Sequence, residues 1–245
     1  LFNRRLPLKP RCIFRPGTFI FHSFVKYSTP VVANEAMWSL GTSMLTVIMG
    51  HMDNSQDMLA AYALIGNIDK LSTVVCFGIA ASAAVIVGKE IGAGTDHKKV
   101  YEISWTLLLV SLMIGAGVML LLLGLLPIFF QPVLFPLFKL STGATLAATS
   151  MAIVYAVFMP MRAFDITNIT GVLRAGGDAR TSSIIDITPL WLVASPLMAV
   201  TALVFNAPVP LVCIAMQAEN LCKCPLGLIR FHSRKWIHDI TRIEP

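Results

Sequence analysis

Charge is what this sequence has least of. Only 13% of its 245 residues are Asp, Glu, Lys or Arg, about half the roughly 25% of a soluble domain. With 56% hydrophobic residues, too little polar side chain is left to cover a water-exposed fold of this size. That ratio excludes an ordinary cytosolic enzyme and a disordered tail. Paired cysteine motifs are missing as well: Cys12, Cys76, Cys213, Cys222 and Cys224 form no CxxC, so neither a zinc site nor a disulfide-stapled secreted module is expected, and the thiols read as reduced. Residues 1–17 carry charges and prolines throughout, without an apolar stretch long enough for a signal peptide. The chain opens on Leu1, and the expectation is that its natural start lies upstream.

Motifs of chemistry are absent too. No nucleophile elbow or HExxH is found. Gly176-Gly177-Asp178 has neither the preceding strand nor the GxGxxG spacing of a phosphate-binding turn, and His51 has no His or Cys beside it for a metal. No enzyme, no cofactor and no resident metal are expected. The net charge of +6 does not mark a nucleic-acid partner, because the Lys and Arg lie between apolar stretches rather than along one face.

What the chain does have is long apolar runs. A helix rises about 1.5 Å per residue, so roughly 20 apolar residues cross a hydrocarbon core. Six segments qualify, at about 24–49, 59–88, 100–130, 146–173, 182–205 and 209–229. Helix is the assignment, since an open strand would leave its backbone polar groups unpaired in lipid. The chain is therefore divided into a basic connector (1–23), a six-helix membrane unit (24–230) and a basic tail (231–245).

The basic residues sort by side. Arg4, Arg5, Lys9, Arg11, Arg15 and Lys26 precede or open the first span; Lys89, Lys98 and Lys99 follow the second; Arg174 and Arg180 follow the fourth; Lys223, Arg230, Arg234, Lys235 and Arg242 close the chain. The alternate turns hold Asp53 and Asp57, a single Lys139, and no basic residue near 206–208. Positive charge stays on the cytosolic side, which predicts six spans with both termini in the cytoplasm. Tyr101, Trp105 and Trp236 read as interface anchors. Gly88 and Gly92 match either a small-xxx-small helix contact or a helix end.

Charges inside the spans are the functional candidates, because a charge at mid-membrane costs about 2.5–3.5 kcal/mol and must face protein or water. Glu35 shares a helical stripe with Ser28, Ser39, Thr42 and Thr46. Counted from Lys26 it lies nine residues deep, about 13.5 Å; Asp165 lies nine residues before Arg174, at a matching depth. Two carboxylates in one layer can hold a cation or share protons. Arg162 and Asn168 flank Asp165 at three residues on either side, close enough to share its face, and Arg162 could neutralise it. Pro160 is expected to kink span four and free a carbonyl. In span two, Tyr62 and Asn67 precede the neighbours Asp69 and Lys70, which point about 100° apart. Asp186, six residues beyond Arg180, is expected to be solvated from the cytosol, and Glu219 is ambiguous in the same way. The sequon Asn168-Ile169-Thr170 falls within a span and should stay unmodified.

Three stretches carry a family resemblance: Pro30-Val31-Val32-Ala33-Asn34-Glu35, Gly88-Lys89-Glu90-Ile91-Gly92-Ala93-Gly94, and above all the run from Asp165-Ile166-Thr167-Asn168 to Arg174-Ala175-Gly176-Gly177-Asp178. These resemble the multidrug and toxic compound extrusion (MATE) transporters. The resemblance implies an all-α integral membrane protein, here the C-terminal six-helix lobe of a twelve-helix transporter of the cytoplasmic membrane. It implies export of drugs or other organic cations against sodium or protons. Glu35 and Asp165 would be the cation-coupling residues, and an N-terminal six-helix lobe and membrane lipid the partners. Asn34, Tyr62, Asp69, Lys70, Arg162, Asn168 and Asp186 are candidates to line or support the substrate cavity. The competing readings are a flippase for lipid-linked sugars, which would show several basic residues to its cavity, and a truncated, non-transporting half.

Overall fold

The computed structural model describes residues 18–238 and is helical throughout. Six long helices follow one another: α1 (Thr18–Gly50), α2 (Ser55–Gly92), α3 (His97–Leu137), α4 (Thr142–Leu173), α5 (Ala179–Val204) and α6 (Val209–His232). Each predicted span lies within or close to one of them, and the helices overrun the apolar runs mainly at their ends. Within the segment read as a connector, α1 begins at Thr18 among the described residues, and residues 1–17 lie outside the described part. The segment read as a tail is described in part. Phe231 and His232 complete α6, Ser233–His238 fold back onto the bundle, and 239–245 lie outside the described residues.

Helices α2 to α5 are long and apolar enough to cross a membrane. Helices α1 and α6 have comparable length but carry polar residues, and the structure accounts for these in α6 by turning them inward. Gln217, Asn220 and Lys223 are buried while Leu211, Ile214, Leu221, Leu226 and Ile229 are exposed. Leu71, Ile128, Leu192 and Val204 are likewise almost bare on other helices. An apolar exterior around a polar interior suits a lipid-facing protein.

Helix α4 is the hub and packs against α2, α3 and α6, while α1 lies along α5. Close approach is set by Gly171, where an added Cβ would stand 2.8 Å from the Ala80 carbonyl oxygen of α2. Ser141 starts α4, accepting from the Ala144 amide at 2.9 Å and donating to Asp57 of α2 at 2.5 Å. Two apolar clusters bracket the bundle. One joins Leu45, Met49, Met58, Phe130, Met151 and Leu190; the other joins Val87, Leu108, Phe164, Leu173, Phe231 and Trp236.

One expectation is corrected here, and two others are placed. The helix continues through Pro160 to Ile166, and a further irregularity follows, where Thr167–Leu173 widen to i→i+5 hydrogen bonds. Of the two readings of Gly88 and Gly92, the structure favours the helix end: they meet no neighbouring helix, and α2 ends at Gly92, with Gly94 at φ 72° after it. Trp236 is no interface anchor: it is fully buried, donates to the Phe231 carbonyl at 3.0 Å and stacks on the Phe231 ring. Tyr101 and Trp105 stack on the same Phe231, at 4.8 and 5.8 Å between centroids.

Candidate functional site

Between the two apolar clusters lies a cavity of about 650 Å³, lined from α1, α2, α4, α5 and α6. Of the predicted residues, Glu35, Tyr62, Asp69, Lys70, Arg162, Asp165 and Asp186 line it. Trp38, Phe77 and Tyr155 add aromatic faces. Helical spacing explains the α2 wall, since Tyr62, Gly66, Asp69, Lys70, Thr73, Val74 and Phe77 recur at three- and four-residue steps along one side.

The charges form two separate sets. Arg162 of α4 reaches across to α2, where it clasps the Asp69 carboxylate with both terminal nitrogens, one of them at 3.0 Å from Oδ2, and donates to Thr73 Oγ1 at 3.3 Å. Arg162 therefore neutralises Asp69 and not Asp165. A guanidinium fork fits one carboxylate in two places, and Asp69 faces it directly from the neighbouring helix.

The second set is a chain of five charges. Glu35 meets Arg174 at 3.3 Å, Arg174 meets Asp186 at 3.4 Å, Asp186 meets Lys223 at 3.0 Å, and Lys223 meets Glu219 at 3.1 Å. Asn34, almost completely buried, donates to Asp186 at 3.0 Å from behind the cavity wall rather than lining it. Asp186 is thus bound into the interior, against the expectation that it is solvated; α5 packs along α1 and α6, which bring Asn34 and Lys223 to it. Glu35, with a side chain 61% exposed, meets Arg174. The long Arg174 side chain, placed by the depth count at the cytosolic end, is folded inward by this contact.

Asp165 stands apart from both sets. It is 3% exposed, and neither carboxylate oxygen has a hydrogen-bond partner. A buried polar group in that position ordinarily finds a partner, and this one faces the cavity. Asn168, three residues on, does not share that wall. It is fully buried against α6, where Gly227 leaves room for its amide: a Cβ there would lie 2.8 Å from Asn168 Nδ2. Packing of this stretch against α6 holds it there, off the cavity wall.

Sequence reasoning missed Arg174 and Lys223 as site residues by counting both as cytosolic charges. A readable signal existed for Lys223, because Glu219 sits four residues before it on the same helix. Among the described residues, no group of three or more His, Cys, Asp and Glu is arranged to hold a metal ion.

Comparisons with known proteins agree on one family. The MatE family profile matches residues 30–206. A multidrug resistance MATE family transporter of the MOP superfamily, solved in an outward-facing conformation, superposes with a TM-score of 0.69 at 18% identity over 91% of this chain and 48% of its own. The eukaryotic MATE transporter AtDTX14 superposes with a TM-score of 0.77 at 16% identity, over 95% of this chain and 49% of its own. At such identities the likeness is one of fold, and this chain spans about half the length of each. A search among curated proteins finds no match. The profile covers well over half of the sequence, and with the lipid-facing exterior and the polar interior cavity it identifies the chain as a multi-pass membrane protein of the MATE family, a family of transporters and not of enzymes.

Proposed function

We propose that residues 24–230 form the C-terminal six-helix lobe of an antiporter in the cytoplasmic membrane, with both termini cytoplasmic, exporting drugs or other organic cations against sodium or protons. The observation that carries this reading is Asp165, a buried, partnerless carboxylate on the wall of a cavity large enough for an organic solute. A cation or a proton supplies what Asp165 lacks. Glu35 is the second coupling residue, since its exposed carboxylate has only one arm of Arg174 and a distant Asn34 amide at 3.4 Å. Ion and substrate exclude each other from one acidic cavity, so the inward ion gradient drives export.

The sign of the lining supports a cationic substrate. Five carboxylates, from Glu35, Asp69, Asp165, Asp186 and Glu219, stand against four basic groups, from Lys70, Arg162, Arg174 and Lys223. Three of those four are matched by carboxylates, which leaves little for the anionic head group of a lipid-linked sugar. The matching solved transporters are about twice as long, and a second, N-terminal six-helix lobe is the proposed partner.

Ethidium efflux from cells tests the reading, with the chain expressed alone and fused behind a MATE N-terminal lobe. Export by the fusion that is lost in Glu35→Gln or Asp165→Asn supports it. Export that survives in both amide variants overturns the coupling assignment, and no export from either form favours a non-transporting half.

A further inference from the structure

Helices α3 and α6 each pack against α4 rather than against one another, and they leave an apolar groove between them on the outside of the lobe. Phe164 of α4 clusters with Leu108 of α3 and Phe231 of α6. Val157 and Ile153, on the same helical face as Phe164, stand exposed along the groove floor. Trp105, Leu109 and Leu112 follow one another up the α3 side. Helix α3 gives no residue to the cavity, so this groove is separate from the solute site.

One end of the groove is closed by rings and carries charge. The Tyr101 hydroxyl lies 2.9 Å from His232 Nδ1 across it, and the Arg234 guanidinium stands 4.7 Å from the centre of the Tyr101 ring. Arg234 does this from φ 55°, a left-handed backbone that glycine adopts far more readily. Lys98, one turn before Tyr101, and Lys235, next to Arg234, are exposed as well. Among the described residues none of these three cations has an ion pair, and Glu102, the only carboxylate of α3, leaves all three unmatched. A guanidinium stacked by its face keeps its N–H edges for an acceptor, and their planar fork matches two oxygens of a phosphate.

We infer that this end of the groove binds the headgroup phosphate of an anionic phospholipid, whose acyl chain lies along Leu112 and Val157. Basic groups between helices at a membrane boundary draw anionic headgroups. A zwitterionic headgroup brings a cation of its own, which Arg234 and Lys98 repel. The proposed topology assigns the site to the cytoplasmic leaflet, and lipid binding itself does not depend on that assignment.

Native mass spectrometry of the purified full chain, with phosphatidylglycerol and phosphatidylcholine of identical acyl chains, gives the relative affinity of the two lipids. Phosphatidylglycerol should be favoured by at least about fivefold. The preference should vanish in the double variant Arg234→Gly with Lys98→Gln and persist in Lys139→Gln, at the opposite end of the bundle. Glycine suits the backbone at position 234, so the double variant should melt in phosphatidylcholine where the unaltered chain does. No preference in the unaltered chain overturns the inference, as does a preference that survives in the double variant. Loss of both lipids together with a lowered melting temperature assigns Arg234 and Lys98 to the structure of the lobe and overturns it too. Displacement of phosphatidylglycerol by an equal concentration of glycerol phosphate overturns the lipid as the occupant. The ethidium assay reads none of these outcomes, so the transport reading and the lipid site can each fail alone.

Discussion

Arg162 and Asp69 join two neighbouring helices that both line the cavity, through a two-armed ion pair whose side chains are 16% and 17% exposed. Removing one member of so enclosed a pair strands the other. Arg162→Met should therefore cost about 3–5 kcal/mol of stability. The double variant Arg162→Met with Asp69→Leu should recover most of it, since a matched apolar pair needs no counter-charge. Thermal unfolding of the single and double variants in detergent checks the cycle; additive losses would show that the two residues do not act together.

Lys223 has two carboxylates, and they should not suffer equally when it is lost. Asp186 keeps Arg174 and Asn34, whereas Glu219 Oε2 has no hydrogen-bond partner beyond the lysine's charge. Lys223→Met is expected to destabilise the lobe by about 3 kcal/mol, and adding Glu219→Gln should restore more of that than adding Asp186→Asn. Denaturation of the three variants under one condition ranks them.

The segment Ser233–His238, after α6, is a structural element in its own right. Trp236 fills the space over Gly176, the His238 amide donates to the Gly176 carbonyl at 2.8 Å, and Arg230 binds Asp178 at 2.5 Å. Trp236→Ala should cost about 3–5 kcal/mol. Gly176→Ala, which drives a methyl into the indole, should cost about 1–3 kcal/mol. Combined, the two should cost less than their sum, because the truncated ring no longer meets the methyl. Melting temperatures of the three proteins decide this, and strict additivity would count against the contact.

The spans were legible because lipid imposes one rule on every residue of a segment, and a count of apolar residues reads that rule directly. Depth along a helix was half legible. Asp165 lies buried on the cavity wall, and Glu35 meets Arg174, because a guanidinium on a flexible stem reaches well away from its own backbone. Pairing between helices was not legible. Arg162 has Asp165 three residues away on its own helix and chooses Asp69 on another, and only the packing of α4 against α2 decides that. Trp236 was misplaced for a related reason: a ring near a membrane boundary serves equally well against lipid or against Gly176, and the backfolding of the chain settles which.

The widened stretch Thr167–Leu173 acts as a phase shifter in α4. Nine steps separate Asp165 from Arg174, and at 100° per step an ordinary helix would aim them in opposite directions. Winding with i→i+5 bonds takes about 4.4 residues per turn, roughly 82° per step, and over this stretch it withdraws more than ~100° of rotation. Both side chains consequently face the same cavity. Ordinary winding restored with every residue kept would swing Arg174 out of phase, and Glu35 and Asp186 would lose their common cation without any change to a charged side chain, whereas ordinary winding with one residue removed leaves eight steps, about 80°, and keeps Arg174 on the cavity side.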